Sequence, residues 1–157
     1  MLEMTFFVPG LPIGQPKHPS RAVKLASGKY VAQAHAVPQK HPVHDWRAWI
    51  KRAAIDRSIT PYSGPVRVDL MFIFPRPKYM LAKKYQTGRI YHVHKFDRDN
   101  LDKAVLDALK GIAYLDDCQV CDGWIKKRYC ALNGDYPGVY ITLSFLDDDS
   151  LTPIKGN

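Results

Sequence analysis

Cysteine is scarce in this chain, with three in 157 residues. A small odd number leaves no room for a disulfide framework. Cys118 and Cys121 form a C-x-x-C, with Cys130 nine positions further on. No fourth ligand stands at zinc-knuckle spacing, and residues three apart on a strand point to opposite faces, so reduced thiols are the expectation. Long apolar runs are missing too: the run from Leu70 to Phe74 falls far short of a bilayer span. Met1 to Met4 has neither a basic stretch nor an apolar run behind it. A signal peptide is therefore not expected, and a cytoplasmic protein is. No basic amphipathic helix stands out, which weakens a membrane-surface role.

Acid is the scarcer charge. Lys and Arg number 23 against 15 Asp and Glu, a net charge of +8, and the pI is about 9.4. Such a balance favours a polyanionic partner, although nucleic acid, headgroups and the ribosome all qualify. Residues 11–43 hold Lys17, Arg21, Lys24, Lys29 and Lys40 but no acid, and residues 70–96 hold six Lys or Arg and again no acid. Seven acids then crowd into 26 positions: Asp97, Asp99, Asp102, Asp107, Asp116, Asp117 and Asp122.

The length implies one domain over residues 1–157, with a core over about residues 5–145 and a frayed tail at 146–157. Thr5–Val8 reads as a strand, and residues 11–43 as a long irregular basic segment. His44–Ser58 reads as a helix with Trp46, Trp49, Ile50 and Ala53 on its packed stripe. Val66–Phe74 alternates as a strand. Asn100–Lys110 is the strongest helix, with Leu101, Ala104, Val105, Ala108 and Leu109 at three-and-four spacing, Asp99 or Asn100 as N-cap and Gly111 at C′. Two more strands are expected around Val120–Cys130 and Val139–Phe145. The order β, α, β, α, β, β gives an α+β fold, a mixed or antiparallel sheet flanked by helices.

The acidic group admits two readings. Asp97 and Asp99 share a face if the backbone is extended, Lys103 lies one turn beyond Asp99, and Asp116-Asp117 return from a second element. A divalent cation needs only two or three carboxylates, with waters and substrate phosphate completing its shell. The alternative is a helix N-terminus, where Asp and Asn cap and complement the dipole. Capping accounts for Asp99 and Asn100, but not for Asp97 or Asp116-Asp117. His92 and His94 share a strand face, though Asp97 has the opposite parity, so one ion could take all three only if the strand bends.

The motif Asp97-Arg98-Asp99-Asn100-Leu101-Asp102-Lys103, followed by Leu115-Asp116-Asp117-Cys118-Gln119-Val120, resembles the D-x-D-N-x-x-K … D-D-x-Q-V signature of RusA-type Holliday-junction resolvases. Gly10-Leu11-Pro12 with Lys17 and Arg21, Val66–Phe74 with Arg76-Pro77-Lys78, Lys127-Arg128-Tyr129 and Pro137-Gly138-Val139 extend the likeness over about residues 5–145. Arg98 departs from the apolar residue usual between the aspartates, and His18-Pro19 stands where the family has Arg-Pro.

The resemblance implies a RusA-like fold and a homodimer that nicks opposed strands of a four-way DNA junction with Mg²⁺, Mn²⁺ being a possible substitute. It implies a role in recombination and repair in the nucleoid of a bacterial or phage-infected cell. Asp97, Asp99 and Asp117 match the metal-site aspartates, with Asp116 beside them, and Lys103 matches the catalytic lysine. Lys17, Arg21, Arg76, Lys78, Lys83, Lys84 and Lys95 are the candidate phosphate contacts. The apolar faces of Val66–Phe74 and Val139–Phe145 are candidate dimer surfaces. The rival functions are a metal nuclease acting on flaps or forks and a non-catalytic basic DNA-binding module.

Overall fold

The computed structural model describes residues 1–17, 20–34 and 36–147, and the side chains of Ser20, Arg21 and Ala34 are outside that description. The expectations for His18-Pro19, for the side chain of Arg21 and for the tail from Asp148 onward fall outside the described residues.

The main sheet is built around β4 (Val66–Phe74), which has the order β1-β8-β4-β7-β5 about it. β1 is Leu2–Pro9, β5 Ile90–Tyr91, β7 Ile125–Tyr129 and β8 Gly138–Phe145. β4 runs antiparallel to β8 and parallel to β7, and a short strand, β6 (Val120–Asp122), pairs with its beginning. The sheet is therefore mixed. Alternation along β4 puts Val66, Val68, Leu70, Phe72 and Phe74 into the core. Their neighbours Ile141 and Leu143 on β8 continue that buried face across the sheet.

Two helices cover it, α1 (Val43–Ile55) and α2 (Arg98–Leu109). Val43, Trp46, Ile50 and Ala54 of α1 meet Leu101, Ala104, Val105, Ala108 and Leu109 of α2 in one apolar cluster with the strands. The stripe expected on α1 is displaced: Ala54 rather than Ala53 is fully buried, and Trp49 is 54% exposed. The helices are also joined by Arg47 and Asp107, a half-buried ion pair at 2.8 Å, with Arg47 donating to Gln15 as well. Asp107 thus belongs to the packing of the helices. Because both helices sit on the apolar faces of β4 and β8, those faces are not available as the dimer surface.

Other expectations also change. Residues 11–43 are not wholly irregular: β2 (Ser20–Lys24) and β3 (Tyr30–Ala34) form a separate hairpin. The region expected as one strand at 120–130 is two, broken at Gly123, whose φ is +143° and where a Cβ would lie 1.9 Å from the Val68 carbonyl oxygen. Helix α2 starts earlier than its apolar stripe suggests, with Asp97 as N-cap. At its other end Gly111 does occupy C′ with φ +75°, the left-handed conformation that ends a helix at least cost with glycine.

Candidate active site

One half of the site stands at the N-terminus of α2. Asp97 holds an extended backbone there, but its side chain makes no capping hydrogen bond. Capping therefore does not explain this carboxylate, which projects into solvent beside the Lys17 ammonium at 3.4 Å. Both groups are more than half exposed, so the pair is a loose counter-charge and adds little to stability. Asp99 lies in the first turn of the helix and not on a shared strand face with Asp97, as extended backbone would have required. Among the described residues Asp99 has no ion pair.

The loop from Gly14 to Lys17 closes over this end, with Gln15 N–H donating to the Asn100 carbonyl at 2.7 Å. Together with His41, Lys95, Phe96 and Asp97 it lines a cleft of about 340 Å³. Lys127 braces the opposite wall. It stands on β7 opposite Phe72, an inward-facing position, and its ammonium donates to the carbonyls of His94 and Phe96. Burial lowers the Lys127 pKa, and the nearby Asp97 works against that shift. This brace was missed in the sequence. Its signal was parity, a lysine between the core residues Ile125 and Tyr129 (two positions either side).

The other half lies past the C-terminus of α2. Asp116 caps a single 3₁₀ turn, Asp117–Gln119, by accepting from Cys118 N–H at 3.1 Å. Gln119 locks that turn. Its side-chain oxygen accepts from the N–H groups of Leu115 and Asp116, and its amide donates to the carbonyls of Tyr62 and Gly64, all at 2.8–2.9 Å. The Lys110 ammonium lies 2.8 Å from Asp116 and 3.6 Å from Asp117. That ion pair, with the bond from Cys118, holds the Asp116 carboxyl far below the usual carboxylate range.

Asp97 and Asp99 thus stand at the start of α2, and Asp116 and Asp117 beside Lys110 at its end; a helix of 12 residues is about 18 Å long. Among the described residues no group of three His, Cys, Asp or Glu is placed to hold a metal ion. The expected set of Asp97, Asp99 and Asp117 is therefore not gathered within one chain. The donors themselves suit a hard cation such as Mg²⁺: carboxylate oxygens, partly exposed, with room for water and phosphate. Lys103 is also displaced from its expected partner, lying 3.7 Å from Asp107 one turn on. Asp102 is half-buried, and burial raises its pKa, with Asp99 adding to that shift and Arg98 opposing it.

The basic candidates divide. Lys17, Lys78, Lys83, Lys84 and Lys95 are exposed. Arg76 is not free, because it donates to the carbonyls of Cys130, Met80 and Gly88; it ties the 76–88 segment to β7 and is a structural residue. His92 is buried against Phe74 and Tyr129, and its ring is not joined to Asp97 in a metal set.

A mixed sheet covered by two helices is an α+β architecture, with aspartates at both ends of α2. A family model, endodeoxyribonuclease RusA, matches residues 9–144, and the chain belongs to that family. The chain is also similar to the uncharacterized protein YqaN of Bacillus subtilis (strain 168), with 35% identity over 82 residues. That match covers 49% of this chain and 58% of YqaN.

Proposed function

We propose that this chain is a Mg²⁺-dependent endonuclease that, as a homodimer, resolves four-way DNA junctions by paired nicks. The observation that carries the reading is the uncapped Asp97 carboxylate, set in a cleft with Lys17 and Lys95 beside it. A carboxylate spared from its local helix-capping role, in a protein of net charge +8, is placed to meet a cation that also touches phosphate. Family membership supports the nuclease reading; the activity, its junction selectivity, the metal and the dimer are all part of the proposal.

The separation of the two halves supports a dimer. A two-fold arrangement that sets α2 antiparallel to its counterpart would place Asp97 and Asp99 of one protomer near Asp116 and Asp117 of the other. It would also present two such sites to the two equivalent strands of a junction. A metal bound between them supplies Lewis acidity and an activated water. The carboxylates of Asp97, Asp99 and Asp117 would hold it, while Asp116 orders the loop carrying Asp117. Lys103, with an exposed ammonium at the surface of α2, is placed to stabilise charge that develops on the phosphate. Lys17 and Lys95 hold the backbone at the mouth of the cleft. The action belongs in the cytoplasm, at the nucleoid of a bacterial or phage-infected cell.

The test is strand-resolved cleavage of synthetic four-way, flap and duplex DNA, in Mg²⁺ and in EDTA. Paired nicks confined to the junction and abolished by EDTA are expected. Equal cutting of flaps would replace the junction assignment, and binding without cutting would leave only a DNA-binding module.

A further inference from the structure

Next to the Asp97 cleft lies a second, open groove of about 460 Å³. Its lining includes Phe74, Tyr79, His92, His94, Phe96 and Tyr129. Three of these form a largely buried floor: His92 stacks on Phe74 at 4.0 Å and tilts against Tyr129 at 4.5 Å, measured between ring centroids. Two others stand as exposed walls, Tyr79 at 56% and His94. Lys95 and Phe96 line both this groove and the Asp97 cleft, so the two cavities share a wall.

We propose that this aromatic groove receives an unstacked nucleobase from the DNA strand whose phosphate lies at Asp97. The proposal rests on the nuclease reading and adds a base-binding subsite to it. Charge and continuity choose the occupant. The groove is rimmed by Lys95, with Lys78 nearby in sequence on the same exposed turn as Tyr79, so a ligand carrying phosphate is favoured over a neutral one. Because Lys95-Phe96-Asp97 connects the cavities, a strand lying at Asp97 has its next base within reach of the rings. Every base has a π-face, and aromatic platforms take them with little regard to sequence. In the open form of a branch point the bases flanking it lack a stacking neighbour on one side, which reduces the cost of extruding one. Arg76 shapes the groove through its carbonyl contacts. His92 adds an unsatisfied buried Nδ1 to the floor. Burial keeps this imidazole uncharged, with a pKa of about 4, so its ring behaves as an aromatic surface.

The experiment uses the full chain, in EDTA, with a four-way junction carrying a single 2-aminopurine that is moved base by base across the branch point. A fluorescence change confined to one or two positions is expected with the wild type. Tyr79→Ala and His94→Ala should remove it and weaken junction binding roughly 5- to 100-fold, while Tyr79→Phe, which keeps the ring, should restore both. Both sites are exposed, so circular dichroism should show unchanged folding. A junction made abasic at the responding position should bind wild type and Tyr79→Ala alike. Uniform fluorescence at all positions, or wild-type affinity in both alanine variants, would overturn the proposal. Adding Mg²⁺ to the same samples separates the two readings. Nicking without a responding base removes the subsite and keeps the nuclease. A responding base without nicking removes the nuclease and keeps the subsite.

Discussion

Replacing Gln119 with leucine should destabilise the protein by about 3 kcal/mol and disable the Asp117 half of the site without touching a carboxylate. Leucine has nearly the volume of glutamine but no polar atoms, so Leu115 N–H, Asp116 N–H and the carbonyls of Tyr62 and Gly64 lose their side-chain partner. The bond from Leu115 is exposed and water can replace it; the other three are part-buried. At about 1 kcal/mol for each part-buried group left short of a partner, the loss is near 3 kcal/mol. For a chain of this size that corresponds to a fall in Tm of roughly 6–12 °C. Urea unfolding at pH 7 measures the first quantity and differential scanning calorimetry the second. Gln119→Glu should be at least as harmful, since it aims a carboxylate oxygen at the two carbonyls. Stability within about 0.5 kcal/mol of wild type in Gln119→Leu, the range of an ordinary surface change, would refute the brace and with it the account of why the loop holds Asp117 in place.

Asp97→Asn and Asp117→Asn are each expected to abolish nicking while junction binding, followed by fluorescence anisotropy, stays equal or tightens, since a charge that repels phosphate is removed with the metal ligand. Lys103→Met should lose most cleavage but keep metal binding and helicity, read by calorimetric titration and circular dichroism, because a protonated lysine is not a ligand and methionine forms helix nearly as well. The buried His92 titrates near 4 instead of 6.5, so the unfolded chain binds its proton first as pH falls; stability is fully present above pH 6.5 and declines between 6.5 and 4. His92→Phe should flatten that decline in Tm measured from pH 7 to pH 5, and an unchanged slope would remove His92 as its cause.

The elements that could be read from the chain are those whose pattern is local. Val66–Phe74 alternates because one face of β4 is covered by helices, and the α2 stripe from Leu101 to Leu109 repeats because one side of it is core. Gly111 ends that helix where its left-handed φ predicts. The motif spacing likewise singled out Asp97, Asp99, Asp116 and Asp117 as candidates, and the helix that joins the two motifs was legible from its apolar stripe. What escaped depends on long-range contact. Nothing near Arg76 in sequence shows that its guanidinium is occupied by carbonyls from Met80, Gly88 and Cys130. Nor does the pairing of Asp107 with Arg47 follow from α2 alone, since the partner is on α1. The N-cap was misplaced because the apolar stripe begins at Leu101, a turn inside the helix, while its first turn is entirely polar. Spacing also suggested that all the aspartates converge, whereas Asp97 and Asp99 begin α2 and Asp116 and Asp117 pair with Lys110 at its end.

In the proposed dimer those two ends form one site. Asp97→Asn and Asp117→Asn, each inactive by itself, should be co-refolded at equal amounts and given a four-way junction with Mg²⁺. If each site takes Asp97 from one protomer and Asp117 from the other, the mixed dimer has one intact site and one doubly damaged site. Nicking of one strand per junction is then the predicted result, with light scattering at about twice 17.9 kDa. No cleavage at any mixing ratio, in a preparation shown to contain mixed dimers, would contradict the shared site.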